Sequence, residues 1–176
     1  MRWLLLTLLL FVGPWHTASV LAETRDPSSH FFMPRMGDFK EELATAKQEG
    51  KQAILIMFEM DECPFCARMK ANVLNQSPVQ EYFRRHFLVF DVNVKGDTPV
   101  VDFKGKSTTE KAFALEQRAR ATPVFIFYDL GGNPLTRFTG ATQTADEFLL
   151  LGRYVADGVY KTGVPFNVYR KQAQPQ

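Results

Sequence analysis

The sequence predicts a mixed α/β domain in which helices flank a central β-sheet. Three runs of strand length and largely apolar composition, at residues 53–58, 88–93 and 124–128, alternate with segments of helical periodicity. Such runs are typical of strands that are covered on both faces. A Gly-Gly-Asn turn at residues 131–133 predicts that residues 135–139 return as the hairpin partner of the third run. We expect a single domain, because no internal repeat or interdomain linker is visible.

Capping residues predict where the helices begin. Each expected N-cap is a serine, threonine or aspartate followed three residues later by glutamate or glutamine: Asp38, Ser77, Ser107 and Thr144. Pro78 would then take the first helical position after Ser77. In the helix after Ser107, we expect Ala112, Leu115 and Ala119 to face the core.

The first 22 residues have the three-part pattern of a secretory signal peptide. Arg2 supplies the positive start, residues 3–12 form an apolar run, and small residues lead to an expected cleavage after Ala22. An uncleaved anchor is the alternative, but the run is shorter than the roughly 20 residues that span a bilayer. The mature protein is expected in an oxidising compartment, which is the periplasm in a Gram-negative bacterium.

The rest of the chain is divided into three parts by its composition. Residues 23–37 are predicted to be a loose leader, residues 38–170 the folded domain, and residues 171–176 a flexible tail. The chain has 21 Lys and Arg against 19 Asp and Glu, a net charge of +2. This balance gives no indication of a nucleic-acid partner, and we expect a monomer.

The two cysteines of the chain, Cys63 and Cys66, stand where the first apolar run meets a helix. If Cys63 is the N-cap, Pro64 takes the first helical position and the Cys66 N–H points back at the Cys63 sulfur. Free N–H groups and the helix dipole would then stabilise a thiolate at Cys63. We therefore expect Cys63 to be the nucleophile and Cys66 the resolving thiol. A static disulfide is the alternative, although so short a loop gains little stability from closure.

Metal binding is the main rival from another class of function. Two thiolates in this spacing can hold copper(I) or half of a zinc site. A structural zinc needs four ligands, and His30 and His86 are too distant in sequence to complete the set. A copper chaperone therefore stays as an alternative, while the redox interpretation needs no metal or cofactor.

Three motifs in this order resemble the thioredoxin superfamily. They are the Cys-Pro-Phe-Cys motif at residues 63–66, Ala121-Thr122-Pro123 before an apolar strand, and Gly140-Ala141 after the hairpin. Within the superfamily the chain looks most like the periplasmic SoxW-type thioredoxins. That likeness rests on Ile-Met-Phe-Glu at residues 56–59, Val-Asp-Phe-Lys-Gly at residues 101–105 and Tyr-Val-Ala-Asp-Gly-Val-Tyr-Lys at residues 154–161.

The resemblance implies a thioredoxin fold with a short insertion at residues 96–106, between the second strand and the next helix. It also implies a cis peptide bond before Pro123 and backbone groups at Thr122 that bind the substrate peptide. A trans proline at the start of a strand is the alternative. Pro64, Phe65 and Gly140 would complete the substrate-binding surface.

The surroundings of the motif depart from the family pattern. Met57 stands where many thioredoxins have a buried aspartate, and Glu62 stands where an aromatic residue is common. Glu59, Asp61 and Glu62 instead form an acidic cluster, which disfavours a thiolate. Glu59 is a candidate base for deprotonating Cys66, with a solvated loop as the alternative for all three residues.

The resemblance implies a dithiol reductase that is recharged by a membrane protein carrying electrons from cytoplasmic thioredoxin. Its substrates would be disulfides of periplasmic sulfur-oxidation proteins or of apocytochromes. A strong oxidant needs a stabilised reduced form, and the acidic cluster argues against that extreme. An oxidase or isomerase of protein folding is the alternative within the same chemistry.

Overall fold

A computed structural model describes residues 23–34 and 37–173, so the predicted signal peptide at residues 1–22 lies outside the described residues. Six strands are present in that part of the chain: β1 (Ala53–Glu59), β2 (Phe87–Asn93), β3 (Pro99–Val101), β4 (Ser107–Thr109), β5 (Val124–Tyr128) and β6 (Pro134–Thr139). Four of them form the central sheet in the order β2-β1-β5-β6. β1 is parallel to β2 and antiparallel to β5, which pairs with β6 as the predicted hairpin.

Seven α-helices accompany these strands: α1 (Pro27–His30), α2 (Phe39–Gln48), α3 (Pro64–Met69), α4 (Ser77–His86), α5 (Glu110–Glu116), α6 (Ala145–Ala156) and α7 (Phe166–Ala173). A π-helical turn (Lys70–Leu74) continues α3, and a 3-10 turn (Val159–Thr162) follows α6. Within the described ranges, no helix is both long and apolar enough to cross a bilayer. The predicted class, a central mixed sheet flanked by helices, is confirmed.

The sheet separates two apolar cores because successive side chains of a strand point to opposite faces. On β1, Leu55 and Met57 face a core that contains Cys63, Cys66 and residues of α4 and α6. Ile54, Ile56 and Phe58 face the other core, beneath α2 and α5. Residues 53–58 are buried throughout, which explains why the run is apolar at every position instead of alternating.

Residues 23–34 of the predicted leader (residues 23–37) are packed onto the domain, so the prediction of a loose segment is wrong there. Phe31 is completely buried, with its ring centroid 5.6 Å from that of Phe83 and 6.1 Å from that of Phe148. The backbone is held as well, since Met33 N–H donates to the Val89 carbonyl at 2.7 Å. The large apolar area of adjacent phenylalanines, Phe31 and Phe32, offsets the entropy cost of ordering the segment.

The predicted caps are confirmed at two helices and wrong at two. The Asp38 carboxylate accepts from the backbone of α2, and the Thr144 hydroxyl accepts from the Glu147 N–H of α6. α4 begins one residue earlier than predicted, with Gln76 as its N-cap and Ser77 inside the helix. Ser107 lies in β4, and Thr109 caps α5 instead. Strand pairing with β3 extends the backbone to Thr109 and delays the helix by two residues.

The insertion at residues 96–106 supplies β3 and the turn of a small β3–β4 hairpin, and it covers the core beneath α2 and α5. Phe103 at its tip lies 4.6 Å from the Tyr128 ring and 5.5 Å from the Phe39 ring, measured between centroids. The buried face of α5 begins at Glu110 and continues through Phe113 and Ala114. Leu115 was predicted to face the core but is 57% exposed. The buried side of α5 is the one that carries Glu110, and Leu115 lies on a different side of the helix.

The carboxyl-terminal segment is also more ordered than predicted. Residues 171–173, expected to begin a flexible tail, are the last turn of α7, while residues 174–176 are not described. Phe166 packs against Phe138 of β6 and Tyr154 of α6, at ring-centroid distances of 5.7 and 5.5 Å. Arg170 forms an ion pair with Glu147. These contacts dock α7 against α6 and the edge of the sheet.

Candidate redox site

Cys63 and Cys66 are joined in a disulfide at the start of α3, with their Cα atoms 5.2 Å apart. Cys63 is the N-cap in an extended conformation, and Pro64 is the first residue of the helix. The Cys66 N–H donates to the Cys63 sulfur at 3.1 Å. This is the arrangement predicted from the spacing of the motif, and it gives the two sulfurs different surroundings.

The disulfide packs against the hydrophobic core. Cys63 is 5% exposed and Cys66 is 2% exposed, and both belong to the same core as Met57 and Met69. Met57 and Met69 are completely buried, and the Thr142 hydroxyl lies 3.6 Å from the Met69 sulfur. A thioether therefore occupies the position on β1 where the family pattern would place a buried carboxylate.

Glu59, at the last position of β1, is half-buried and is the nearest carboxylate to the motif along the chain that is not exposed. Its side chain is 13% exposed, and its Oε1 accepts a hydrogen bond from Lys70 Nζ at 2.6 Å. Burial raises the pKa of Glu59, while the hydrogen bond and charge of Lys70 act in the opposite direction. Asp91 and Asp61 add repulsion that also favours the protonated carboxyl.

The other two carboxylates of the acidic cluster face solvent. Asp61 is exposed, and the Glu62 side chain is 86% exposed. Lys95 Nζ lies 3.5 Å from Glu62 Oε2, but a pair this open to water is strongly screened. These observations favour the interpretation of Asp61 and Glu62 as a solvated loop.

Thr122 and Pro123 lie at the same end of the sheet as the disulfide. The peptide bond between them is cis. Val124, the next residue, is paired with Phe58 of β1, one position before Glu59. The Pro123 carbonyl accepts a hydrogen bond from Gly140 N–H at 2.9 Å. Pro123 and Gly140, both expected from the resemblance to be substrate-binding residues, are therefore in direct contact.

The remaining predicted residues, Pro64 and Phe65, are on the outer side of α3. Both are exposed, and the Phe65 side chain is one of the large apolar groups left open to solvent. The guanidinium carbon of Arg68 lies 5.3 Å from the centroid of the Phe65 ring. The helix therefore turns Cys66 inward and presents an aromatic ring and a cation outward.

Sequence reasoning missed Lys70 and Arg68. Lys70 follows Cys66 by four residues, so helical periodicity places both on one side of the helix. Its pairing with Glu59 depends on how β1 and α3 pack, and the sequence carries no signal for it. The contact between Arg68 and Phe65 is local, and their spacing of three residues could have indicated it.

Metal binding at this site would rest on the two cysteines alone. Across residues 23–34 and 37–173, no group of three or more His, Cys, Asp or Glu side chains is placed to hold a metal ion. His86 lies against the ring of Tyr82, at a centroid distance of 4.6 Å, on α4. Nothing in this arrangement favours the copper chaperone over the redox interpretation.

Residues 39–156 match the family model of the thioredoxin-like domain. The chain belongs to this family. The match runs from the start of α2 to the end of α6 and includes both cysteines, Thr122-Pro123 and Gly140. No curated protein matches the sequence at a significant level.

Solved structures with the same fold are found at low sequence identity. A thioredoxin from Thermus thermophilus is 27% identical, over 72% of this chain and 90% of its own, with a TM-score of 0.55. A thioredoxin-fold protein from Helicobacter pylori is 20% identical, over 70% of this chain and 80% of its own, with a TM-score of 0.56. DsbH oxidoreductase is 17% identical, over 80% of this chain and 95% of its own, with a TM-score of 0.57. The last two show likeness of fold alone.

Family membership and the bonded cysteine pair together support a thiol–disulfide oxidoreductase. The chemistry available at the site is the exchange of one disulfide for another through a mixed disulfide. The Cys63 sulfur lies at the N-terminus of α3, and the Cys66 sulfur belongs to the first turn of the helix.

Proposed function

We propose that this protein is a periplasmic dithiol reductase of the SoxW type, which acts as a monomer on disulfides of secreted proteins. One observation carries the proposal: Cys63 and Cys66 are bonded to each other at the start of α3, where the Cys66 N–H meets the Cys63 sulfur. In the reduced protein the same N–H faces the Cys63 thiolate and stabilises its charge. Cys63 is therefore the attacking sulfur.

The proposed reaction has two steps. The Cys63 thiolate attacks one sulfur of the substrate disulfide and displaces the other as a thiolate, which takes up a proton. Cys66 then loses its proton, attacks the Cys63 sulfur and releases the second substrate sulfur as a thiol. The substrate disulfide gains two electrons and two protons, and Cys63 and Cys66 become the disulfide seen in the structure.

Glu59 is the proposed acceptor of the Cys66 proton. It is the only carboxylate of the acidic cluster whose side chain is largely withdrawn from water, and its pKa is raised by that burial. A carboxylate with a raised pKa is a stronger base than an exposed one. Lys70 would hold it in place, since the two groups are hydrogen-bonded.

The proposed peptide site follows the end of the sheet beside the disulfide. Thr122 would offer backbone groups to an extended substrate segment, with Pro123 and Gly140 holding that edge of the sheet in place. Pro64 and Phe65 would contact the same segment from the helix side, where both are exposed. A segment in this position would bring its disulfide to Cys63.

The reductase direction is supported by the charges near the disulfide. Asp61 and Glu62 are exposed at the motif and disfavour a thiolate there, whereas a strong oxidant needs its thiolate strongly stabilised. A reductase in an oxidising compartment needs a continuous supply of electrons. We propose a membrane protein of the thiol-reducing type as the donor and disulfides of sulfur-oxidation proteins or apocytochromes as the targets.

The redox state of the Cys63–Cys66 pair in intact cells tests the direction. Thiols are trapped by acid quenching and alkylation with a mass-shifting maleimide, with and without the membrane donor. We expect a mostly reduced pair that becomes oxidised when the donor is removed. A mostly oxidised pair that does not respond to that loss would overturn the reductase and favour an oxidase.

Substrates are identified with a trapping variant. Cys66→Ser cannot resolve the mixed disulfide, so the natural substrate is expected to stay bound to Cys63 and to be released by reductant. The matched control is the Cys63→Ser, Cys66→Ser double variant, which has no attacking sulfur. Equal recovery of proteins from both variants would contradict the assignment of Cys63 as the nucleophile.

A further inference from the structure

Phe65, which lies between the two cysteines in the sequence, has a solvent-exposed aromatic side chain. It is 57% exposed, whereas every other phenylalanine of the described residues is buried or half-buried. Aromatic side chains, phenylalanine among them, are enriched where proteins contact their partners. The ring lies on the outer side of α3, two residues after Cys63.

Arg68 lies over this ring, with its guanidinium carbon 5.3 Å from the ring centroid. Stacking on an aromatic face restricts the guanidinium but leaves its N–H groups free at the edge of the plane. Among the described residues, no carboxylate lies within ion-pair distance of Arg68. The next cation along the helix, Lys70, is already paired with Glu59. Arg68 is therefore an ordered cation with unused donors, five residues after Cys63.

We propose that Arg68, held in place by Phe65, is a specificity-determining residue that binds an aspartate or glutamate side chain next to the reactive cysteine of the substrate. A guanidinium presents paired N–H donors that match the two oxygens of a carboxylate. This inference rests on the proposed dithiol reductase and names a preference within its substrates.

The charges on the two sides of the disulfide are opposite in sign, which favours one position for an acidic substrate side chain. Asp61 and Glu62 are exposed on the loop before Cys63, and Arg68 is exposed beyond Cys66. An acidic substrate side chain is repelled at the first end and attracted at the second. Lys95, near Glu62, weakens the negative end only partly, since that pair is separated by 3.5 Å and open to water.

Matched peptide substrates test the role of Arg68. Each peptide carries one cysteine in a mixed disulfide with uncharged 2-thiopyridine, flanked on both sides by glutamate, glutamine or lysine. Pre-reduced protein is mixed with each peptide, and release of pyridine-2-thione gives the second-order rate constant. The quantity that decides is the ratio of the glutamate-peptide rate to the lysine-peptide rate.

Two charge-reversal variants are compared. Arg68→Glu is expected to lower this ratio by about tenfold relative to the unmodified protein, because an attraction becomes a repulsion. Lys47→Glu makes the same change of net charge at an exposed position near the end of α2, at the opposite end of β1, and is expected to leave the ratio unchanged. Two further variants separate charge from geometry. Arg68→Lys keeps the charge without the paired donors, and Arg68→Gln removes the charge. The rate ratio of Arg68→Lys should therefore lie between those of the unmodified protein and Arg68→Gln.

Equal ratios in Arg68→Glu and Lys47→Glu would overturn the inference. The glutamine peptide separates this result from a failure of the proposed function. If the unmodified protein reduces the glutamine peptide but the two variants have equal ratios, only the role of Arg68 is overturned. If the unmodified protein reduces none of the three peptides, the reductase itself is contradicted.

Discussion

Lys70 Nζ lies 2.6 Å from Glu59 Oε1 and 5.7 Å from the centroid of the Phe32 ring. One ammonium group therefore connects the end of β1, the π-helical turn after α3 and the docked leader. Lys70 follows Cys66 by four residues, which places the ion pair on the side of the helix that carries Cys66. The half-buried carboxylate of Glu59 is thus hydrogen-bonded to a cation, Lys70, from the turn that continues the helix of the redox pair.

Replacing Glu59 tests its role as a base. Glu59→Gln removes the proton acceptor and is expected to slow the second step, the release of substrate from the mixed disulfide, by about tenfold or more at neutral pH. The measurement is rapid-quench analysis of the mixed disulfide that forms and decays at Cys63 when pre-reduced protein is mixed with substrate. Glu41→Gln, at an exposed position on α2, is the control and should behave as the unmodified protein. Equal rates in Glu59→Gln and the unmodified protein would contradict the base.

Replacing Lys70 tests how the pKa of Glu59 is set. Glu59 acts as a base only when ionised, so the rate of the second step should fall as the pH falls through its pKa. Lys70 lowers that pKa against the effect of burial. Lys70→Met should therefore move the midpoint of the pH–rate profile to higher pH, while Lys70→Arg keeps a cation and should move it less. A midpoint that is the same in all three proteins would exclude this coupling.

Removing the Phe31 ring tests whether the leader belongs to the fold. Phe31→Ala deletes a completely buried ring and is expected to lower the free energy of unfolding by about 3 kcal/mol or more. Phe65→Ala is the matched control, because the same atoms are removed from a side chain that is 57% exposed. Its effect should be about 0.5 kcal/mol or less. Urea unfolding monitored by circular dichroism measures both, and equal losses would show that the leader is not docked in solution.

Gly132 tests how tightly the insertion packs on the β5–β6 turn. Its φ is +82°, and a Cβ at this position would lie 2.6 Å from the Cβ of Phe103. Gly132→Ala should therefore cost about 2 to 4 kcal/mol of unfolding free energy, from backbone strain and from the collision. Gly163→Ala has a similar φ of +79° with no atom within 4 Å, and should cost only about 1 kcal/mol. Similar costs for the two variants would contradict the close packing of Phe103.

Much of the central fold could be predicted because its signals are local. The apolar runs at residues 53–58 and 124–128 are strands, since full burial on both faces requires an apolar side chain at every position. Asp38 and Thr144 cap their helices through bonds that span only three residues. The cap at Cys63 is local in the same way, so the spacing of the motif was enough to infer different surroundings for its sulfur and for that of Cys66.

Contacts between distant segments could not be predicted, because several partners are compatible with the same sequence. Ser107 has the pattern of a cap but pairs in a strand, since β3 supplies hydrogen bonds that local preference does not anticipate. Phe31 has no periodic pattern around it, and its place between Phe83 and Phe148 exists only when α4 and α6 are packed. The sequence by itself determined the sheet, the main helices and the redox pair. Only the tertiary structure decided that the leader is part of the core and that Lys70 is the partner of Glu59, because both depend on elements meeting across the fold.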